Sequence, residues 1–172
     1  MSYDTFTTMI LKARDADGLA RLQHIVSVAP EGAESVFACL GQSEWGGIDS
    51  VTLSGNELTI DFWCQEHISP LDETLAAPVI PSLDVVVIAD YTHFATIDCL
   101  FVSADGVQRH EFEFCVDGTL GYTHTELLDG TWAQVSERDM DSDQAVARGS
   151  ELHPMFGERI QNLSDFIFGT HN

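Results

Sequence analysis

Carboxylates are the side chains with which this sequence could do chemistry, and they are concentrated in its middle. Residues 46–126 contain 14 Asp and Glu and one basic residue, Arg109. The acids do not form a tail, because they are interleaved with apolar residues in patterns typical of β-strands. The net charge of residues 46–126 is −13, against −3 for residues 1–45 and −5 for residues 127–172. This distribution favours an acidic surface on a sheet.

Strand alternation predicts which acids share that surface. If the core is formed by Phe62, Val85, Ile97 and Phe112, the opposite face carries one aromatic and six acidic side chains, namely Asp61, Trp63, Asp84, Asp90, Asp98, Glu111 and Glu113. Neighbouring strands are about 4.8 Å apart and alternate residues about 6.6–7 Å, which approaches the spacing of phosphates on a nucleic-acid strand. A basic groove that reads phosphates through Arg and Lys would meet similar charges. We therefore predict a partner-binding surface here; a solvated face, or one partly covered by helices, is the alternative.

Other chemistries find less support in the sequence. Four histidines lie in or beside predicted strands, but none has metal-ligand spacing to another ligand: His67, His93, His110 and His124. An enzyme would have to use Cys64 or Cys99 with His93. The sequence contains neither the phosphate-binding pattern G-x-x-x-x-G-K-S/T nor a G-x-G-x-x-G after a predicted strand. We predict no catalytic residues, no metal and no cofactor.

Composition indicates one globular domain, residues 1–172, because 44% of the residues are hydrophobic. The net charge of −21 makes nucleic acid and anionic membrane unlikely direct ligands and favours a basic protein surface. Adaptation to high salt would produce a similar composition. Since a signal peptide and a long apolar segment are both missing, we expect a cytoplasmic protein. The widely spaced cysteines then read as reduced thiols, with a zinc site as the alternative: Cys39, Cys64, Cys99 and Cys115.

Periodicity divides the chain into three parts. Residues 1–45 read as helical, with a first helix from Thr5 to Arg14 capped by Asp4, and others over 19–29 and 33–40. Residues 46–126 read as the sheet core. It comprises a hairpin (48–53 and 58–64), a short helix starting at Ser69-Pro70, a central strand (83–89), and strands over 94–103, 107–116 and, last, 119–125. Residues 127–172 read as helical again, with a helix start within 136–143 and an amphipathic helix over 155–168. The predicted class is α+β, an antiparallel sheet flanked by terminal helices.

About 60 central residues resemble a known family. Trp45-Gly46, the strand Leu58–Trp63, Ser69-Pro70, Pro81-Ser82-Leu83 and the strand ending at Tyr91 resemble the ferredoxin-like domain of YubB-like proteins of phages and plasmids. The resemblance implies a ferredoxin-like sheet core and an origin in a mobile element. It provides no catalytic residues.

Together these patterns predict an acidic interaction protein that occupies a nucleic-acid-binding surface of another protein as a DNA mimic. The concrete form is a phage-borne inhibitor of host defence, of the anti-CRISPR or antirestriction type. The alternative is a small cytosolic enzyme or ligand-binding domain with a salt-adapted surface. The sequence leaves the partner and the oligomeric state open.

Overall fold

The fold is an antiparallel sheet of eight strands with helices on both faces, and the class is α+β as predicted. A computed structural model describes residues 4–40, 46–65, 80–91 and 95–169. The spatial order of the strands is β2-β3-β1-β4-β5-β6-β7-β8, so that β1 lies in the interior of the sheet. The strands are β1 (Asp4–Ala13), β2 (Gly46–Ser54), β3 (Glu57–Gln65), β4 (Leu83–Tyr91), β5 (Thr96–Ser103), β6 (Gly106–Phe114), β7 (Leu120–Leu128) and β8 (Thr131–Met140).

In the described ranges, four α-helices pack on this sheet: α1 (Ala16–Val28), α2 (Ala33–Cys39), α3 (Ser142–Leu152) and α4 (Pro154–Phe168). Side chains fix where two of them begin. The Asp15 carboxylate accepts a hydrogen bond of 2.8 Å from the backbone N–H of Gly18 at the start of α1. Asp141 and Gln144 form a reciprocal capping box at the start of α3. None of the helices in the described ranges is long and apolar enough to cross a membrane.

Each face of the sheet has its own core. We call the face that packs against α1 and α2 the front face, and the face that packs against α3 and α4 the back face. Leu11, Leu58 and Val85 belong to the front core with Leu22 and Phe37 of the helices. The back core is built around five fully or almost fully buried side chains of β4–β7 and α4: Ile88, Ile97, Phe112, Tyr122 and Phe156.

The helices cover different halves of the two faces. In the described part of the chain, α1 and α2 make their main strand contacts with β1 and β2, whereas α3 and α4 make theirs with β4, β7 and β8. On the front of β8, Glu137 and Asp139 are exposed, whereas Trp132 is partly buried against the front core. On the back, Phe6 of β1 and Trp63 of β3 are exposed. Among the described residues, exposed side chains therefore occur on the front at the β8 edge of the sheet and on the back near its β2 edge.

The predicted helix over Thr5–Arg14, with Asp4 as its cap, is wrong, because these residues form β1. Strand β1 is paired on both sides, with β3 and with β4, and it is buried on both faces from Thr7 to Leu11. A strand with two buried faces loses the alternation of polar and apolar residues, so its apolar residues also fit a helical period. The prediction that residues 1–45 are helical therefore fails for their first part and holds for α1 and α2.

The prediction that residues 127–172 are helical fails for their first part, where β8 occupies residues 131–140, and holds for α3 and α4. The strand over 119–125 is consequently not the last. A register shift between His124 and Thr125 opposes two residues of β7 to three of β8 and breaks the alternation at Val135. The hairpin of β2 and β3, the central position of β4, strands β5 and β6, and helix α4 are confirmed. The short helix predicted from Ser69 lies outside the described residues.

Candidate functional site: an acidic half of the sheet

The seven residues predicted to share one face are divided between the two faces. Partners across an antiparallel pair project to the same side, and the registers place Asp98, Glu111 and Glu113 on the front face. The other four lie on the back face: Asp61, Trp63, Asp84 and Asp90. The prediction of a single acidic face is therefore wrong.

The reason is the double burial of the central strands. Of the residues assigned to one core, Phe62 and Val85 lie in the front core, whereas Ile97 and Phe112 lie in the back core. Because β4 and β5 carry apolar side chains on both faces, the relative phase of neighbouring strands cannot be determined from apolar periodicity.

Strands β6, β7 and β8 bring four carboxylates together on the front face. In one row Glu111 pairs with Thr123, which pairs with Glu137. In the next row Glu113 pairs with Gly121, which pairs with Asp139. The rows are about 6.6–7 Å apart, and the acids of one row are separated by two strand spacings, about 10 Å. We call Glu111, Glu113, Glu137 and Asp139 the front acidic surface.

One arginine partly neutralises the inner border of this surface. Arg109 Nη2 lies 2.7 Å from Asp98 Oδ2 and 3.3 Å from Glu111 Oε2. Asp98 is only 1% exposed, and burial raises its pKa to about 7, against the opposing effect of Arg109 and assisted by the charge of Glu111. The two carboxylates hold the pKa of Arg109 above its usual value, so the guanidinium stays charged. Asp98 is thus a structural member of the site and the other acids are its solvent-facing part.

On the back face, Asp61 and Asp90 belong to a hydrogen-bonded network that ties α4 to the sheet. Arg159 of α4 donates from Nε to Asp90 Oδ2 at 2.8 Å and from Nη1 to Thr8 Oγ1 at 2.9 Å. Thr8 in turn donates to Asp61 Oδ1 at 2.6 Å, and Ser50 donates to Asp61 Oδ2 at 3.0 Å. Burial raises the pKa of Asp90, and Arg159 opposes this shift.

The remaining two predicted residues lie on the back face outside this network. Asp84 forms an ion pair of 3.5 Å with Arg14. Trp63 lies over Gly47 of β2, where a Cβ atom would meet the indole ring. A glycine at this position therefore allows the indole to lie flat against the neighbouring strand while 37% of the side chain remains exposed.

Sequence reasoning missed a buried polar cluster on the back face. His110 Nδ1 lies 2.7 Å from the Tyr122 hydroxyl, which also accepts a longer hydrogen bond of 3.4 Å from Arg148 Nη2. The rings of His110 and His124 stack with their centroids 4.3 Å apart. Burial, the neighbouring His124 and Arg148 lower the pKa of His110 to about 3, so this ring is neutral at physiological pH. The cross-strand pairs His110–His124 and Phe112–Tyr122 could be recognised only once the β6–β7 register was known.

Sequence reasoning also missed Glu137 and Asp139, because residues 131–140 read as part of a helical region. The alternation of Glu137, Arg138, Asp139 and Met140 was the available signal, since acids on one side and a buried Met on the other are typical of a strand.

The thiol chemistry considered from sequence gains no support. Cys99 is buried in the back core, and burial raises the pKa of its thiol well above the usual value, which disfavours the nucleophilic thiolate. Cys39 and Cys115 are free thiols as well. His67, His93 and the side chain of Cys64 lie outside the described residues. Within the described ranges no group of three His, Cys, Asp or Glu side chains is placed to hold a metal ion.

Comparison of the chain with models of protein families, with curated proteins and with solved structures found no match. The chemical capacity of the site therefore has to be derived from its geometry. A grid of four carboxylates, three of them exposed, with one partly exposed arginine at its border is suited to attracting and binding a basic surface.

Proposed function

We propose that this chain is an acidic interaction protein that occupies the basic, nucleic-acid-binding surface of another protein as a DNA mimic. Its concrete form would be an inhibitor of host defence, of the anti-CRISPR or antirestriction type, encoded by a phage or another mobile element and acting in the cytoplasm. The central residues resemble YubB-like proteins, and this resemblance implies a ferredoxin-like core. Both remain predictions, and both are consistent with an origin in a phage or another mobile element.

The observation that carries the proposal is the front acidic surface. Glu113, Glu137 and Asp139 are exposed, and Glu111 is half-buried beside Arg109. In the described ranges, no other Arg or Lys forms an ion pair with these four carboxylates. A rigid sheet fixes their spacing at values of about 7–10 Å, so that a groove lined with Arg and Lys would find several charges at once.

Acidic residues elsewhere on the surface, such as Asp17 and Glu34 on the helices, keep salt adaptation as the competing explanation. The two explanations differ in the property of the carboxylates on which their effect depends. Mimicry depends on the position of the front carboxylates, whereas a solubilising coat depends only on their number. A pair of variants with the same net charge therefore separates them.

The test is a competition experiment with the partner isolated from host lysate. One variant, which we call the front variant, neutralises the three exposed acids of the front acidic surface: Glu113→Gln, Glu137→Gln and Asp139→Asn. Its control neutralises three exposed acids of the helices with the same chemical changes: Glu34→Gln, Glu158→Gln and Asp17→Asn. We expect the unmodified chain and the control to displace duplex DNA from the partner, and the front variant to do so at least ten-fold less well. Simultaneous binding of DNA and this chain, each with undiminished affinity, would refute mimicry.

A further inference from the structure

Two aromatic side chains are exposed side by side on the back face, near the β2 edge of the sheet. Phe6 of β1 and Trp63 of β3 are directly opposite each other in the register, and 56% and 37% of their respective surfaces are exposed. The next row on the same face is Thr8 and Asp61, about 7 Å away. Exposed aromatic pairs are enriched where proteins bind other proteins, because they bury a large area at small entropic cost.

A cleft of about 420 Å³ is lined by Phe6 of this pair and by Arg159 of α4. Three carboxylates and one guanidinium line it: Asp49, Asp61, Asp90 and Arg159. Asp49 is the extra residue of a β-bulge in the edge strand β2, where the register shifts between Ile48 and Ser50. Bulges commonly redirect a side chain, and this one adds an exposed carboxylate to the wall of the cleft.

The charges of the cleft select a cation. Arg159 is already engaged with Asp90, with Thr8 and, at 3.4 Å, with the carbonyl oxygen of Phe6. Among the described residues, the donors to Asp61 are two neutral hydroxyl groups and no Arg or Lys forms an ion pair with it, and each of its oxygens retains a further acceptor position. The cleft as a whole carries three negative charges and one positive charge.

Among cationic side chains, arginine fits this combination of features best. A guanidinium group donates parallel hydrogen bonds to a carboxylate and stacks on an aromatic face, whereas an ammonium group is a compact and strongly hydrated charge. With the Asp61 row and the Phe6–Trp63 row about 7 Å apart, one side chain can reach both. A second copy of this chain, with its net charge of −21, is disfavoured by repulsion.

We propose that the back cleft and the Phe6–Trp63 pair form a docking site for an arginine side chain on an exposed segment of a partner protein. This site is separate from the front acidic surface, since the two lie on opposite faces of the sheet. It does not depend on DNA mimicry, and either site could exist without the other.

The test is a titration of the ¹⁵N-labelled chain with a blocked Gly-Arg-Gly peptide, followed by amide and indole shifts. The matched probe is the same peptide with citrulline, which keeps the shape of arginine and removes its charge. We expect saturable shifts at Phe6, Asp61 and the Trp63 indole with the arginine peptide only. Asp61→Asn and, independently, Trp63→Ala should each weaken binding at least five-fold, while the well-dispersed spectrum of each variant verifies that it is folded.

Three outcomes would overturn the assignment: equal shifts with citrulline, equal binding of a lysine peptide, or shifts spread over all acidic residues. The front variant, with Glu113, Glu137 and Asp139 neutralised, serves as the control and should bind the arginine peptide as the unmodified chain does. Because that variant is the one expected to fail in the DNA competition, failure of the docking site and failure of mimicry give different results.

Discussion

At the scale of single residues, Asp98 makes the front of the sheet sensitive to pH. Its carboxyl group is buried, has a pKa of about 7 in the folded chain, and would have an ordinary acidic pKa after unfolding. The folded state therefore binds a proton between about pH 4 and pH 7 that the unfolded state has lost. By linkage, the stabilisation due to this proton is complete at low pH and is lost as the pH rises through 7.

We accordingly expect the unmodified chain to lose stability relative to Asp98→Asn as the pH rises from 4.5 to 7.5, so that its unfolding free energy minus that of the variant decreases. The decrease should exceed about 1 kcal/mol, since one pKa unit corresponds to about 1.4 kcal/mol. Urea denaturation at several pH values measures it. Parallel curves for the two proteins would show that Asp98 has an ordinary pKa.

His110 should act in the opposite direction. Its pKa is lowered to about 3 in the folded chain, so below about pH 6.5 the unfolded state binds a proton that the folded state does not. Stability due to neutral His110 is therefore lost as the pH falls. Relative to His110→Gln, the unmodified chain should gain stability between pH 4.5 and pH 7, which the same urea series can measure. An unchanged difference would mean that the pKa of His110 is the same in the folded and unfolded states.

The acidic and aromatic character of these residues could be predicted from the sequence, and their grouping could not. Asp61 and Glu111 were assigned to one surface, yet they lie on opposite faces. Each of the two strands alternates correctly, and the error arises between strands. The register between β4 and β5 determines which of their residues share a face of the sheet. This register is set by the three-dimensional packing of the strands and cannot be determined from the period of either strand alone.

At the scale of secondary-structure elements, the close packing of α3 on α4 depends on glycine. A Cβ atom at Gly157 would lie 2.8 Å from the backbone N and Cα of Ser150, and the backbone cannot move aside as a side chain could. A Cβ atom at Gly149 of α3 would in turn lie 3.2 Å from the Cα of Gly157.

Gly157→Ala should therefore destabilise the fold by about 2 kcal/mol or more through steric overlap, although alanine has the better helix propensity. Asn162→Ala, at an exposed position of the same helix, is the control and should change stability by less than about 0.5 kcal/mol. Thermal and urea denaturation of both variants provide the comparison. A Gly157→Ala protein as stable as the control would mean that the two helices can separate at little cost.

Elements differ in how well their sequences identify them. Helix α4 and the β2–β3 hairpin were predicted because each has one buried and one solvated side, which produces a clear period. Strands β1 and β8 were mistaken for helical segments for opposite reasons: β1 is buried on both faces, and β8 is a largely exposed edge strand interrupted at Val135. Amphipathic periodicity identifies an element only when its two sides differ.

At the scale of the whole molecule, the net charge of −21 should make stability depend on ionic strength. Mutual repulsion between carboxylates favours the expanded chain, and salt screens it beyond about 10 Å at 0.1 M. The midpoint of urea denaturation should therefore rise when NaCl is increased from 0.05 to 0.5 M. The front variant, which removes three neighbouring charges, should be at least as stable as the unmodified chain and should respond less to salt. A midpoint independent of salt would indicate that repulsion does not limit stability.

The interior position of β1 has a consequence for the order in which the molecule can assemble. Strands β4 to β8 pair with their neighbours in sequence, as β2 does with β3, and these pairs can form as soon as each segment leaves the ribosome. Strand β1 is synthesised before the other described strands, yet it pairs with β3 and β4, which are made about 45 and 70 residues later. Loop closure of that length slows pairing, and an apolar strand that waits for its partners is exposed to aggregation. The expected slow step of folding is thus the pairing of β1 with β3 and β4, which joins the β2–β3 hairpin to strands β4–β8. The nascent chain has most need of a chaperone between the synthesis of β1 and that of β4.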